Sequence, residues 1–162
     1  MNAPSSKAKP VAVPLPVKKI LVPIDFSDCS QFALRYAVNL AKQVDASLIL
    51  VHVASSLIAP PEMQYVHVDL KQFQGEIEKH ASAKLTALAQ KEIPATVPAS
   101  PIVRHGTPWE EITRVAKDRK TDLIIIGTHG YSALKHMLLG STTEKVVRSA
   151  GCPVLVVREY GN

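Results

Sequence analysis

No apolar run in this chain approaches the ~20 residues that a membrane-spanning helix requires. The longest, Ser47 to Ala54, has the length of a strand and carries His52 near its end, so no membrane partner is expected. Cysteine is scarce. Cys29 and Cys152 stand far apart and lack the spacing of a metal site. Both read as buried or half-buried thiols of a reducing compartment, and the expected location is cytoplasmic. Aromatic residues make up 5% of the chain, and none interleaves with the scattered arginines. The formal charge of +5 does not reverse that picture. Lys7, Lys9, Lys18 and Lys19 supply most of it ahead of the first expected strand, with no acid among them, leaving about +1 for the rest. That is no footprint for a phosphate backbone, so no nucleic acid is expected as a partner. Pro10, Pro14 and Pro16 interrupt the N-terminus, which argues against a secretory signal, and its lack of arginine argues against a mitochondrial one.

What is present alternates. Residues 1–17, rich in Pro, Ala, Ser and Lys, are expected to form a disordered or polyproline-like tail, and 18–162 a single domain. Ile20 to Ile24 reads as a buried strand. Ser27 caps a helix from Asp28 to about Val44, whose Phe32, Ala33, Tyr36, Ala37 and Leu40 recur at helical spacing. Ser47 to Val53 is a second strand. After a loop with Pro60 and Pro61 comes an amphipathic helix of about 69–92. Pro94, Pro98 and Pro101 then limit the third strand, around Ile102 to His105, to a short or edge position. Thr107-Pro108-Trp109-Glu110 has the residues of a capping box with proline at the first helical position. That helix runs to about Lys120. Asp122 to Ile126 is a fourth strand, Thr142 to Ser149 a short helix, and Pro153 to Val157 a fifth strand.

Such alternation specifies an α/β fold: a doubly wound, Rossmann-like, five-stranded parallel sheet with helices on both faces. Two strand orders are common for five strands, 2-1-3-4-5 and 3-2-1-4-5. In either, ligands sit beyond the carboxyl ends of the strands where the winding reverses.

The chemistry concentrates after the fourth strand, in Gly127-Thr-His-Gly130, nine further residues, then Gly140-Ser141-Thr142-Thr143. Glycines at the strand exit, in the turn and at the mouth of a helix let a backbone approach a ligand closely. A helix N-terminus presents unpaired N–H groups and the positive end of a dipole, suited to phosphate. Neither the Gly-Lys-Ser/Thr of a P-loop nor the tight dinucleotide fingerprint is present. The spacing suits a flap along the phosphates, closed by the amides of residues 141–143 with hydroxyls from Ser141, Thr142 and Thr143. The plainer alternative is that these glycines only shape turns. Asp25, directly after the first strand, would meet a ribose hydroxyl or a divalent cation bridging it to phosphates; alternatively it complements the dipole of the helix behind it. A nucleotide favours the order 3-2-1-4-5, because Asp25 then faces the glycine loop. Val53 would offer an apolar surface to a base, and His129 would neutralise phosphate oxygens. His52 reads as a satisfied core histidine. No catalytic residue is assigned, since no Gly-x-Ser-x-Gly elbow, metal-ligand triplet or companion lysine accompanies Asp25.

The pattern Gly127-x2-Gly130-x9-Gly140-Ser141 resembles the nucleotide-binding signature of the universal stress proteins, in the spacing of their ATP-binding branch. Ile20-Leu-Val-Pro-Ile-Asp25-Phe-Ser27, Leu48 to Val53, His105-Gly-Thr-Pro-Trp-Glu-Glu-Ile112 and Pro153-Val-Leu-Val-Val157 resemble other segments of that family. The resemblance implies the order 3-2-1-4-5, with Asp25 and Gly127 near ribose and metal, and Pro23 and Val53 near adenine. It implies Gly130, Gly140, Ser141 and Thr142 at the phosphates, and a homodimer joined through Val154 to Val157, an apolar edge that would otherwise expose unpaired backbone. The expected ligand is ATP or another adenine nucleotide with Mg²⁺ or Mn²⁺, and the expected role a regulatory stress-response sensor rather than an enzyme. Two rivals stand beside it: a dimeric stress protein that binds no nucleotide, and a slow ATPase or phosphotransferase.

Overall fold

The computed structural model describes residues 17–54, 70–128 and 139–158, and the side chains of all of these except 70–74. The elements run β1 (Lys19–Pro23), α1 (Asp28–Val44), β2 (Ser47–Ala54), α2 (Leu70–Glu92), β3 (Ala99–His105), α3 (Pro108–Asp118), β4 (Leu123–Gly127), α4 (Ser141–Ser149) and β5 (Val154–Val157). All strand pairings are parallel, in the order β3-β2-β1-β4-β5. The sheet is therefore the expected doubly wound one, with its winding reversed between β1 and β4.

Two apolar layers sandwich this sheet. Ile20, Val22, Leu48, Leu50 and Ile125 pack with Ala33, Leu34, Ala37 and Ala41 of α1 and Leu85 and Ala89 of α2. On the opposite face Leu21, Ile49, Val51, Ile124 and Ile126 meet Ile112, Val115 and Ala116 of α3 and Val146 of α4. Alternate residues of each strand supply the two layers, the consequence of a period of two. Strands buried on both faces read as continuous apolar runs, which is why β1, β2 and β4 were legible.

The connections follow from local chemistry. Ser27 caps α1, its Oγ accepting from the Ser30 N–H at 3.2 Å. Asp45 ends α1 in the left-handed region, and the Ala46 N–H reaches back to the Ala41 carbonyl at 3.0 Å, a Schellman closure. Lys120 and Thr121 close α3 in the same way through the Ala116 carbonyl. Asp122 ties down the amino end of the sheet, one carboxylate oxygen accepting from the Lys18 and Lys19 N–H groups at 2.9 and 2.8 Å.

Three expectations need correction. β3 takes the edge position that was one of its two expected places, but it is longer than Ile102 to His105, because the Pro101 ring sits on an edge strand where a ladder donor is dispensable. Thr107 is the N-cap of α3, but its side chain makes no capping bond. The buried acid of the first turn is instead Glu111, paired with Arg114 at 3.0 Å. Val17, expected in the tail, packs against the α1–α2 layer. The rest of the tail, residues 1–16, lies outside the described residues, as does the loop 55–69.

Candidate functional site

The carboxyl ends of β1 and β4 lie side by side where the winding reverses, and each continues into a helix N-terminus. β1 leads through Ile24, held by its N–H to the Val51 carbonyl at 2.8 Å, to exposed Asp25. The Asp25 Oδ1 accepts from the Ser27 N–H at 3.0 Å and from the Ser27 hydroxyl. One serine thus caps α1 and fixes the carboxylate. Between them Phe26 has φ of 66°, a left-handed conformation that is an outlier for a bulky residue and is concentrated at functional sites. Its carbonyl accepts from Gln31 Nε2 at 3.2 Å. Its ring sits 4.7 Å from that of His52 and under Lys84 Nζ at 4.2 Å from the centroid. His52 Nδ1 bonds the Ile24 carbonyl at 2.8 Å, so His52 is the satisfied histidine expected, and it braces the strand end that carries Asp25.

At the exit of β4, Thr128 is 7% exposed and its N–H reaches the Val157 carbonyl at 3.1 Å. The Gly140 N–H donates to the Thr128 carbonyl at 2.7 Å. Thr143 Oγ1 donates to the Gly127 carbonyl at 2.8 Å. These two bonds lock the start of α4 onto the end of β4. Gly140 is the N-cap and Ser141 the first helical residue, so the N–H groups of Ser141, Thr142 and Thr143 have no intrahelical acceptor. Ser141 is exposed and Thr142 half-buried, both able to present hydroxyls beside those amides.

The geometry changes the part played by three predicted residues. Thr143 is 4% exposed and its hydroxyl donates to the Gly127 carbonyl, so in this structure that hydroxyl is committed to the fold and not presented at the mouth of α4. Gly140 has φ of −71° and ψ of 148°, which any residue adopts; only close approach, not turn strain, can require glycine there. Gly127 is required by the protein itself. A Cβ there would lie 2.8 Å from the Cys29 carbonyl oxygen and 3.0 Å from its carbon. The first turn of α1 is pressed that closely onto β4.

Pro23 is buried in β1 and Val53 half-buried at the end of β2, on the face shared with Ile102 and Trp109. His129 and Gly130 lie outside the described residues. Sequence reasoning missed Thr128, whose carbonyl anchors Gly140, and Arg104, whose Nε is buried with no hydrogen-bond partner among the described residues. Strand periodicity could have placed Arg104 on the face of Ile102, but not revealed that its donor is unpaired.

A groove of about 560 Å³ lies along α3, near Trp109, Lys117, Thr121 and Cys152. Burial, and then the Asp122 charge, push the Cys152 thiol above its ordinary value near 9, so the group is protonated at neutral pH and a poor nucleophile. Both cysteines are free. Among the described residues no cluster of three or more His, Cys, Asp or Glu could hold a metal ion, and no helix is long and apolar enough to cross a membrane.

The family model for the universal stress protein family matches residues 16–158. Universal stress protein YxiE of Bacillus subtilis is 37% identical over 145 residues, covering 86% of this chain and 98% of that one. The solved structure of the protein MJ0577 superposes with a TM-score of 0.77 at 32% identity, over 90% of this chain and 99% of that one. MJ0577 is a universal stress protein of Methanocaldococcus jannaschii. A universal stress protein solved in complex with cAMP shares the fold at a TM-score of 0.62 and 21% identity, over 89% of this chain and 98% of that one.

Proposed function

Because the chain belongs to the universal stress protein family, we propose that it binds ATP, or another adenine nucleotide, as a regulatory stress-response sensor. One observation carries this reading: the Gly140–Thr128 and Thr143–Gly127 bonds hold the open first turn of α4 beside Asp25, at the reversal point of the sheet. That turn gathers oriented N–H donors and the positive end of a helix dipole, the electrostatics a polyphosphate needs. Asp25 supplies the opposite chemistry. Held by Ser27, it accepts from a ribose hydroxyl or takes part in binding a Mg²⁺ or Mn²⁺ ion that screens it from the phosphates. In this reading Val53 and Pro23 serve the base and Ser141 and Thr142 the phosphates, with His129 and Gly130 as the further phosphate residues of the motif. A universal stress protein of this fold was solved holding cAMP, which supports an adenylate as the ligand class.

The role is regulatory in this reading: nucleotide occupancy is what a downstream protein partner senses. The protein works in the cytoplasm as a homodimer joined through the apolar edge strand Val154 to Val157. Isothermal titration with ATP and Mg²⁺ tests the central point. Binding in the wild type, weakened at least tenfold in Gly140→Ala with the fold intact, is the expected outcome. No heat at millimolar nucleotide would overturn the reading in favour of a dimer that binds none.

A further inference from the structure

The groove along α3 shares no residue with the candidate nucleotide site. Its lining runs from Trp109 in the first turn of α3 to Lys117 in the last, about 12 Å of helix, and continues past the helix end to Lys120. Trp109 and Cys152, both half-buried, give it apolar surface. Arg114, Lys117 and Lys120 set exposed cations along it at three-residue intervals, against one lining carboxylate, Glu110. Lys145 adds a further cation 5.8 Å from the centre of the Trp109 ring. Asp122, which acts on the Cys152 thiol, is bonded to the Lys18 and Lys19 N–H groups. Arg114 is paired with Glu111 at 3.0 Å, but no ion pair among the described residues engages the Lys117 or Lys120 ammonium. Lys120 is also held at φ of 52°, in the position after a helix where glycine is usual because a Cβ is penalised there. A lysine at that corner serves the fold less well than glycine and adds charge to the groove.

We infer that this groove docks an acidic peptide segment of a partner protein, an extended stretch with several carboxylates and one large apolar side chain. Charge complementarity sets the class of partner: carboxylates of the segment pair with Lys117 and Lys120, the cations left without one, and with the free side of the Arg114 fork. The apolar side chain meets Trp109, the residue type most often found at the energetic centre of an interface. Four or five extended residues, at about 3.3 Å each, cover the length of the lining. A groove whose cations stand exposed leaves much of a small ligand in water, whereas a peptide is held at several points along it. A nucleic-acid backbone would set phosphates against Glu110 and find a single aromatic ring to stack on. This docking role stands apart from the nucleotide reading and holds whether or not ATP binds.

Trp109 is the single tryptophan and lines the groove, so its emission reports occupancy. The full-length protein, free of nucleotide, is titrated with a synthetic peptide of one leucine and four glutamates. Controls are the same peptide with lysines for the glutamates, and a uridine hexanucleotide. We expect saturable binding of the acidic peptide, weakened as salt rises from about 0.05 to about 0.5 M, and none of the basic one. Lys120→Gly should bind the acidic peptide about threefold to fivefold more weakly, and Lys117→Glu combined with Lys120→Glu at least tenfold. The melting temperature of Lys120→Gly should equal or exceed that of the wild type, because glycine relieves the left-handed corner; a lower one would show Lys120 serving the fold and overturn the inference. So would no binding at millimolar acidic peptide, equal binding of both peptides, or binding that survives the double replacement. A hexanucleotide that binds as tightly and is lost in the same variants would reassign the groove to nucleic acid. Sedimentation velocity should give wild type and double variant the same oligomeric state; a change would make the groove a contact between copies of this chain.

Discussion

Replacing Gly127 by alanine separates two reasons for a glycine that look identical in sequence. A glycine needed only for a ligand would tolerate a methyl group in the empty protein. With an ordinary backbone conformation, alanine would then raise stability by about 0.4–1 kcal/mol through the unfolded chain. Here the methyl carbon would lie 2.8 Å from the Cys29 carbonyl oxygen, 3.0 Å from its carbon and 3.2 Å from its Cβ. Two of these atoms are backbone in the first turn of α1, so relief requires moving the helix, not a side chain. Gly127 also lends its carbonyl to Thr143, so a displaced strand end strains the anchor of α4. Overpacking of this kind costs about 1–3 kcal/mol, and the backbone contacts argue for the middle of that range. About 2 kcal/mol corresponds to a fall of roughly 4–8 °C in the melting temperature for a domain of this size. Urea unfolding of the ligand-free protein, followed by Trp109 fluorescence, reads the change directly, because the single tryptophan is half-buried in the α3–α4 layer. Stability equal to or above that of the wild type would refute the packing argument and return Gly127 to the ligand.

Two further outcomes are expected. Thr143→Val, which keeps the shape and removes the hydroxyl, leaves the Gly127 carbonyl short of a donor and should lower ligand-free stability by about 1–2 kcal/mol. ATP affinity measured on the folded variant should stay within about threefold, because the Gly140–Thr128 bond still holds the first turn of α4 and the Thr143 amide remains; a loss as large as that of Gly140→Ala would show that the hydroxyl is needed for the site itself. Cys152 has a thiol held above its ordinary value near 9 by burial and by Asp122. At alkaline pH the unfolded thiol therefore loses its proton before the folded one does, so its contribution to stability is complete below about pH 9 and declines as pH rises beyond it. Denaturation curves of wild type and Cys152→Ala between pH 8 and 10 should diverge in that sense, and iodoacetamide at pH 8 should modify Cys152 slowly in the native state.

The sequence by itself determined the class of fold and marked the end of the sheet where the candidate site is built. Apolar runs of strand length alternated with helical periodicity, and this permits little besides a doubly wound parallel sheet. Capping and turn residues such as Ser27 and Gly140 marked where helices begin, because those signals are local. The spaced glycines and Asp25 also pointed to the β1–β4 reversal, since topology alone brings those strand ends together. What each residue does there was decided by tertiary contacts between segments distant in the chain. Gly127 answers to Cys29, nearly a hundred residues earlier, and no spacing rule registers a backbone contact of that kind. Thr143 looked like a hydroxyl donor to a ligand until its distance to the Gly127 carbonyl showed where the bond goes. Arg104 is unremarkable as a residue on an edge strand, and only the packing shows that its Nε is buried with no hydrogen-bond partner among the described residues. Local chemistry sets where elements start and stop, whereas the commitment of each donor and each void depends on packing that the linear order does not contain.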